Sequence, residues 1–197
     1  MTVDYAILYS IGAIGALFWI FPAIKQYKTE LFWYFFVLAI SDPIVISLWF
    51  WLHKIIGVDH IYPFLLFFML LALYWSRRKS WYVRTMLSAL LLIHIITFSS
   101  STKIHYGVMF LFHLPILSFF LKRSIYCVAE TGIVNLFHLT LILYEISIIM
   151  KILAIMTNAD TGAAFYYVTD IFQILIAVFF SIFREDDKRL IINLRNV

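Results

Sequence analysis

The chain has 197 residues, of which 64% are hydrophobic and 13% charged, and a formal net charge of +4. Its mean hydropathy is +0.96. A soluble domain usually carries roughly 25% charged residues, so a water-soluble fold of this size could not hide so much apolar surface, and the bilayer is the expected solvent.

An all-α polytopic membrane protein is predicted, forming one transmembrane domain over 1–197. Its seven spans fall at about 6–24, 31–52, 60–75, 81–98, 104–121, 132–153 and 163–183, with a short cytoplasmic tail at 184–197. Each span approaches the roughly 20 apolar residues a helix needs to cross a bilayer. The segment before the first span carries Asp4 and no Lys or Arg, so it reads as the start of a retained helix rather than a basic signal-peptide n-region. That helix holds Pro22 near its inner end, followed by Lys25 and Lys28. The second span carries Asp42 near its middle, followed by Pro43. Proline removes a backbone donor and clashes with the carbonyl one turn back, so a kink beside the carboxylate is expected. Ser41, Ser47 or a neighbouring helix are the structural partners open to Asp42. The third span is the shortest, and either begins earlier, near Ile55, or thins the bilayer around it.

His94 lies toward the outer end of the fourth span, and His113 lies mid-span in the fifth, two residues before Pro115. Histidine titrates near neutral pH, so either could relay protons, or serve only as a hydrogen-bonded packing element. In the sixth span Asn135, His138 and Glu145 return to one helical face. Tyr166, Asp170 and Gln173 do the same in the seventh. That span has no lysine, which argues against a retinal Schiff base. The tail begins with mixed charge, Arg184 to Arg189, and then turns apolar at Leu190, Ile191, Ile192 and Leu194. It reads either as a helix end lying along the membrane surface or as a docking stub for a protein partner.

The basic residues set the topology. With the N-terminus outside, inner segments hold Lys25, Lys28, Arg77, Arg78, Lys79, Arg84, Lys122, Arg123, Arg184, Lys188, Arg189 and Arg195, against Lys54, Lys103 and Lys151 outside, twelve to three. The positive-inside rule then gives N-out and C-in, in a plasma (inner) membrane. Trp33, Trp49, Trp51, Trp75 and Trp81 lie near span ends, where indole prefers the interface, with Tyr74 and Tyr82 in the inner belt. Only Trp19 sits well inside a span.

Seven spans can divide as three, one and three, with Pro22 before Lys25 and Lys28 in one triplet and Pro115 before Lys122 and Arg123 in the other. The stretch FPAIKQYKTELFWYFF, residues 21–36, resembles the Pro-containing first helix, basic loop and second helix of the PQ-loop and SWEET transporter superfamily. Pro22 is followed here by Ala23 rather than Gln, with Gln26 four residues on, and Pro115 is followed by Ile116. The resemblance implies seven helices, N-out and C-in, as two three-helix repeats around a linker helix.

Ionisable groups at membrane depth are costly, which makes them functional candidates. Asp42, Glu145 and Asp170 fall at similar depth and are expected to face one cavity as a proton or cation site, with His138 and His113 as relays. Gln173, Tyr166 and Asn135 would join them, with Pro43, Pro22 and Pro115 as hinges. The structural alternative is interhelical hydrogen bonding at about 0.6 kcal/mol per contact.

The single Cys127 excludes an intrachain disulfide and a cysteine-cluster metal site. His53, Asp59, His60 and His105, all placed outside, show no ligand spacing. No phosphate loop, nucleophile elbow, H-E-x-x-H motif or voltage-sensor Arg repeat appears. No catalytic residue, cofactor, metal or nucleic-acid partner is expected. The expected function is a small proton-coupled transporter for a solute or ion, alone or as a homodimer. The alternative is a sensory or accessory subunit that signals to a separate protein through its C-terminal tail.

Overall fold

The computed structural model describes residues 5–51, 58–74, 81–96, 102–159 and 162–194. His53, Lys54, Trp75, Arg77, Arg78, Lys79 and Arg195 lie outside them, as do the side chains of Trp49, Asp59, His60, Trp81, Tyr82 and Arg84. Among the described residues the chain forms seven helices. They are α1 (Tyr5–Lys25), α2 (Phe32–Trp51), α3 (Val58–Tyr74), α4 (Trp81–Ile96), α5 (Thr102–Thr131), α6 (Leu136–Thr157) and α7 (Gly162–Ile182). Three of them, α5, α6 and α7, are long and apolar enough to cross a membrane.

Two helices exceed their expected ends for readable reasons. Helix α5 runs through Lys122 and Arg123 to Thr131, because no breaker occurs until Gly132, which adopts φ 69°. Helix α6 continues past Lys151 through Ile152, Leu153, Ala154, Ile155 and Met156. It stops at Asn158, whose left-handed φ of 50° lets its N–H cap the carbonyls of Ala154 and Ile155. Lys151 is therefore a helical residue and not part of an outer loop.

The helices close into a ring. Helix α1 packs on α2 and α7, α2 on α3, α3 on α5, α5 on α6, and α6 on α7, while α4 lies outside the ring against α3 and α5. Phe35, Phe137 and Phe180, from α2, α6 and α7, form its buried aromatic centre, with ring centroids 4.8 to 6.0 Å apart. Trp19, the tryptophan inside the first span, is buried against Tyr144 at 4.6 Å. The outer faces instead expose Leu17, Ile24, Leu92, Ile96, Val168 and Leu175, a surface suited to hydrocarbon rather than water.

The fold carries one element that hydropathy does not announce. Strand β1 (Ile133–Asn135) pairs antiparallel with β2 (Ile191–Asn193), matching Ile133 to Asn193 and Asn135 to Ile191. The Leu194 N–H extends the pair by donating to the Gly132 carbonyl at 2.8 Å. The tail thus folds back on its own body and buries Leu190. Its turn starts at Asp187, whose carboxylate accepts from the Arg189 N–H (3.0 Å) and pairs with the Arg189 guanidinium (2.7 Å). These hydrogen bonds hold the Asp187 carboxyl down at about 2.

A clasp joins the ends of α1 and α7. Gln26 is fully buried: its Oε1 accepts from the Glu185 N–H (3.0 Å), while its Nε2 donates to the carbonyls of Phe183 (2.8 Å) and Phe180 (3.2 Å). It thereby satisfies carbonyls at the end of α7 that have no helical partner. Replacing Gln26 by Leu should cost about 1–3 kcal/mol, the penalty for stranding buried polar groups. This would be read as a lower melting temperature in detergent, and an unchanged midpoint would contradict the clasp.

Candidate functional site

Polar side chains stack in three levels along the inside of the ring. The first, beside the end of α7, is built on Glu185, whose carboxylate accepts from Arg123 (2.6 Å) and the Leu31 N–H (3.3 Å) and lies 3.5 Å from Nε2 of His138. Arg123 also reaches Glu30 at 2.9 Å.

The middle level centres on Glu145, which is 0% exposed. Tyr34 of α2 donates its hydroxyl to Glu145 Oε1 at 2.7 Å, and His113 of α5 lies with Nδ1 2.8 Å from Oε2. This second contact holds one shared proton, and the imidazole tautomer decides which partner donates. Three helices thus meet at one buried carboxylate, with both oxygens satisfied.

The third level joins two pairs of helices. Tyr62 of α3 donates to Asp42 Oδ1 of α2 at 2.7 Å. Lys151 of α6 forms an ion pair with Asp170 of α7, and Gln173 of α7 donates to Ser147 of α6 at 3.2 Å. Ser147 and Lys151 are one turn apart on α6, and Gln173 and Asp170 nearly one turn apart on α7. The two rungs therefore repeat at helical spacing along the seam between these helices.

Two cavities adjoin at this level. One, of about 360 Å³, is lined by Gly12, Gly15, Trp19, Ile46, Asp42, Tyr62, Lys151, Asp170, Gln173 and Ile174, among others. The second, of about 320 Å³, shares Trp19, Asp42, Tyr62, Lys151 and Gln173 and continues to Tyr144 and His113. His113 therefore touches the cavity on one side and Glu145 on the other.

The expected single cavity with three acids is thus divided. Asp42, Asp170 and Gln173 share the first cavity, while Glu145 lies below it, sealed by Tyr34 and His113. His138 belongs to the first level with Glu185 and not to the Glu145 level. Asn135 drops out of the polar stripe: it lies in β1 and caps α6, accepting from the Phe137 N–H at 2.9 Å. Tyr166 is half-buried one turn from Asp170, outside both cavity linings. Pro22, Pro43 and Pro115 lie inside α1, α2 and α5. Pro63 lies inside α3 directly after Tyr62, so both members of the Asp42–Tyr62 pair are followed by proline.

His94 is buried away from this column, against Phe64 (4.5 Å) and near His105 (6.2 Å). Ser41 does not serve Asp42, since its hydroxyl donates to the Val37 carbonyl. Among the described residues no three His, Cys, Asp or Glu side chains gather as a metal site.

Sequence reasoning missed Tyr34, Tyr62 and Lys151. The apolar run 152–156 after Lys151 was a usable sign that the lysine stays inside the helix. Nothing distinguishes Tyr34 within its aromatic run. No family model, curated protein or solved structure matches this chain.

The Lys151–Asp170 pair yields a double-mutant cycle. Lys151→Met or Asp170→Leu alone strands a charge and should cost about 1.5–3 kcal/mol. The double variant should recover much of that loss, whereas strictly additive losses in thermal unfolding would contradict a direct ion pair.

Proposed function

We propose that the chain is an integral membrane carrier of seven spans, N-outside and C-cytoplasmic, that moves a small solute or ion coupled to protons. The observation that carries this reading is the column of titratable side chains, adjoined by two cavities, inside an otherwise apolar helical ring. Such groups are rare at membrane depth and mark ion or substrate routes.

The topology draws support from α6. With Lys151 inside the helix, the outer segments keep only Lys54 and Lys103 of the expected three lysines, which sharpens the positive-inside bias. The place of α4 outside the ring supports a division into α1–α3, a linker helix and α5–α7, the arrangement implied by the resemblance to the PQ-loop and SWEET superfamily.

In this mechanism a proton entering the cavity reaches His113, passes to Glu145 and is exchanged there, with Tyr34 holding the second oxygen. Seven residues of α6 separate Glu145 from His138, about 10 Å of helical rise, so transfer to the Glu185 level is tied to movement of the helices. Pro43 and Pro63 give α2 and α3 bending points beside the Asp42–Tyr62 hydrogen bond, and breaking that bond releases both. The rival reading, a subunit that docks a partner through its tail, draws on the exposed Ile191, Ile192 and Leu194. That tail, however, is already paired to β1 through its backbone.

In proteoliposomes with a trapped pH dye, Asp42→Asn, Glu145→Gln and Asp170→Asn should each abolish solute-driven proton movement while leaving expression intact. Full coupling in all three variants would reject the carrier site.

A further inference from the structure

We infer that the outer cavity binds a small organic cation, an ammonium group carried on a single aromatic or aliphatic body, with Asp42 as its counter-ion. This identifies the solute class of the carrier reading and rests on it for transport, but not for binding. The argument begins with charge. Among the described residues lining the cavity, the ionisable side chains other than Tyr62 are Asp42, Asp170 and Lys151. Lys151 and Asp170 pair with each other, so the three side chains sum to one formal negative charge; Asp42 accepts a hydrogen bond from the Tyr62 hydroxyl and also lies within the field of the Lys151–Asp170 pair. A cavity walled by helices whose lining sums to one negative charge favours a cation and disfavours an anion. The lysine that would otherwise attract a carboxylate ligand is already engaged.

The remaining walls suit an organic cation rather than a bare metal ion. Trp19, Ile46 and Ile174 supply apolar and aromatic surface, and an indole face attracts an alkylammonium group. The volume, about 360 Å³, lies within the range of small-molecule pockets.

Two of the α1 residues lining the cavity are glycines, Gly12 and Gly15. At Gly12 a Cβ would meet no atom within 4 Å, and at Gly15 it would meet only Ile174 Cγ1, at 3.7 Å. Neither glycine is required by backbone packing at that point, and their effect is to leave the cavity wide. A side chain placed at Gly12 would project into open space, without strain, and narrow the chamber.

Gly12 supplies the test. Purified protein in detergent is titrated with benzylammonium, benzoate and benzyl alcohol, three probes of one shape and different charge, by calorimetry and thermal shift. Benzylammonium should bind and raise the melting temperature, and the other two should bind at least tenfold more weakly. Gly12→Leu should keep the melting temperature of the ligand-free protein and lose the benzylammonium shift. Asp42→Asn should lose it too, and Cys127→Ser, outside the cavity, should retain it. Equal binding of benzoate or benzyl alcohol, or a benzylammonium shift unchanged by both Gly12→Leu and Asp42→Asn, would overturn the proposal. Saturable binding with no amine-driven proton flux in liposomes would uphold the site and reject the carrier. Proton-coupled flux of another solute without benzylammonium binding would do the reverse.

Discussion

The structure turns on one buried carboxylate. Glu145 is sealed from solvent in the wall of an apolar ring, where an unpaired charge is costly. Its two oxygens are served by Tyr34 from α2 and His113 from α5, so three helices separated in sequence are tied at one point. The surrounding Phe35, Phe120, Phe137 and Phe180 pack without polar demands of their own. In hydrocarbon, lipid competes well with apolar side chains for helix faces, so directional contacts of this kind carry much of the specificity of helix pairing.

The other polar levels extend the same logic in both directions. On one side, the Lys151–Asp170 and Ser147–Gln173 rungs zip α6 to α7, and Asp42–Tyr62 joins α2 to α3. The cavities lie between those two seams, so the bonds that hold the helix pairs also line the chamber. On the other, Gln26, Arg123 and Glu185 knit the loop after α1, the long α5 and the end of α7 into one plug. Whatever disturbs Asp42 or Asp170 therefore also changes a contact between helices.

Much of the architecture was legible in the sequence. Apolar runs located all seven helices, because hydropathy reports the environment of a whole segment. The ends of α5 and α6 were less legible, because a basic residue marks an interface without ending a helix; only Gly132 and Asn158 do so. The β1–β2 pair was hidden because each strand has three residues and its partner lies far along the chain.

Of the candidate site, Asp42, Asp170, Gln173, Glu145 and His113 could be singled out because polar residues stand out within apolar runs. Their neutral partners could not. Tyr34 and Tyr62 look like any other aromatic residue until the fold brings their hydroxyls to a carboxylate. Asn135 misled for the converse reason, since helical spacing counted a capping residue as part of the helix face it precedes.

The central claim is that Glu145 exchanges a proton during the working cycle rather than merely bracing three helices. Infrared difference spectroscopy on the reconstituted protein, with a pH step applied across the membrane, reads this directly. The account predicts a protonated-carboxyl stretching band that appears and reverses with the step, is present in Asp170→Asn and is lost in Glu145→Gln. A difference spectrum with the same carboxyl band in the Glu145→Gln protein would contradict it, leaving Glu145 a structural tie.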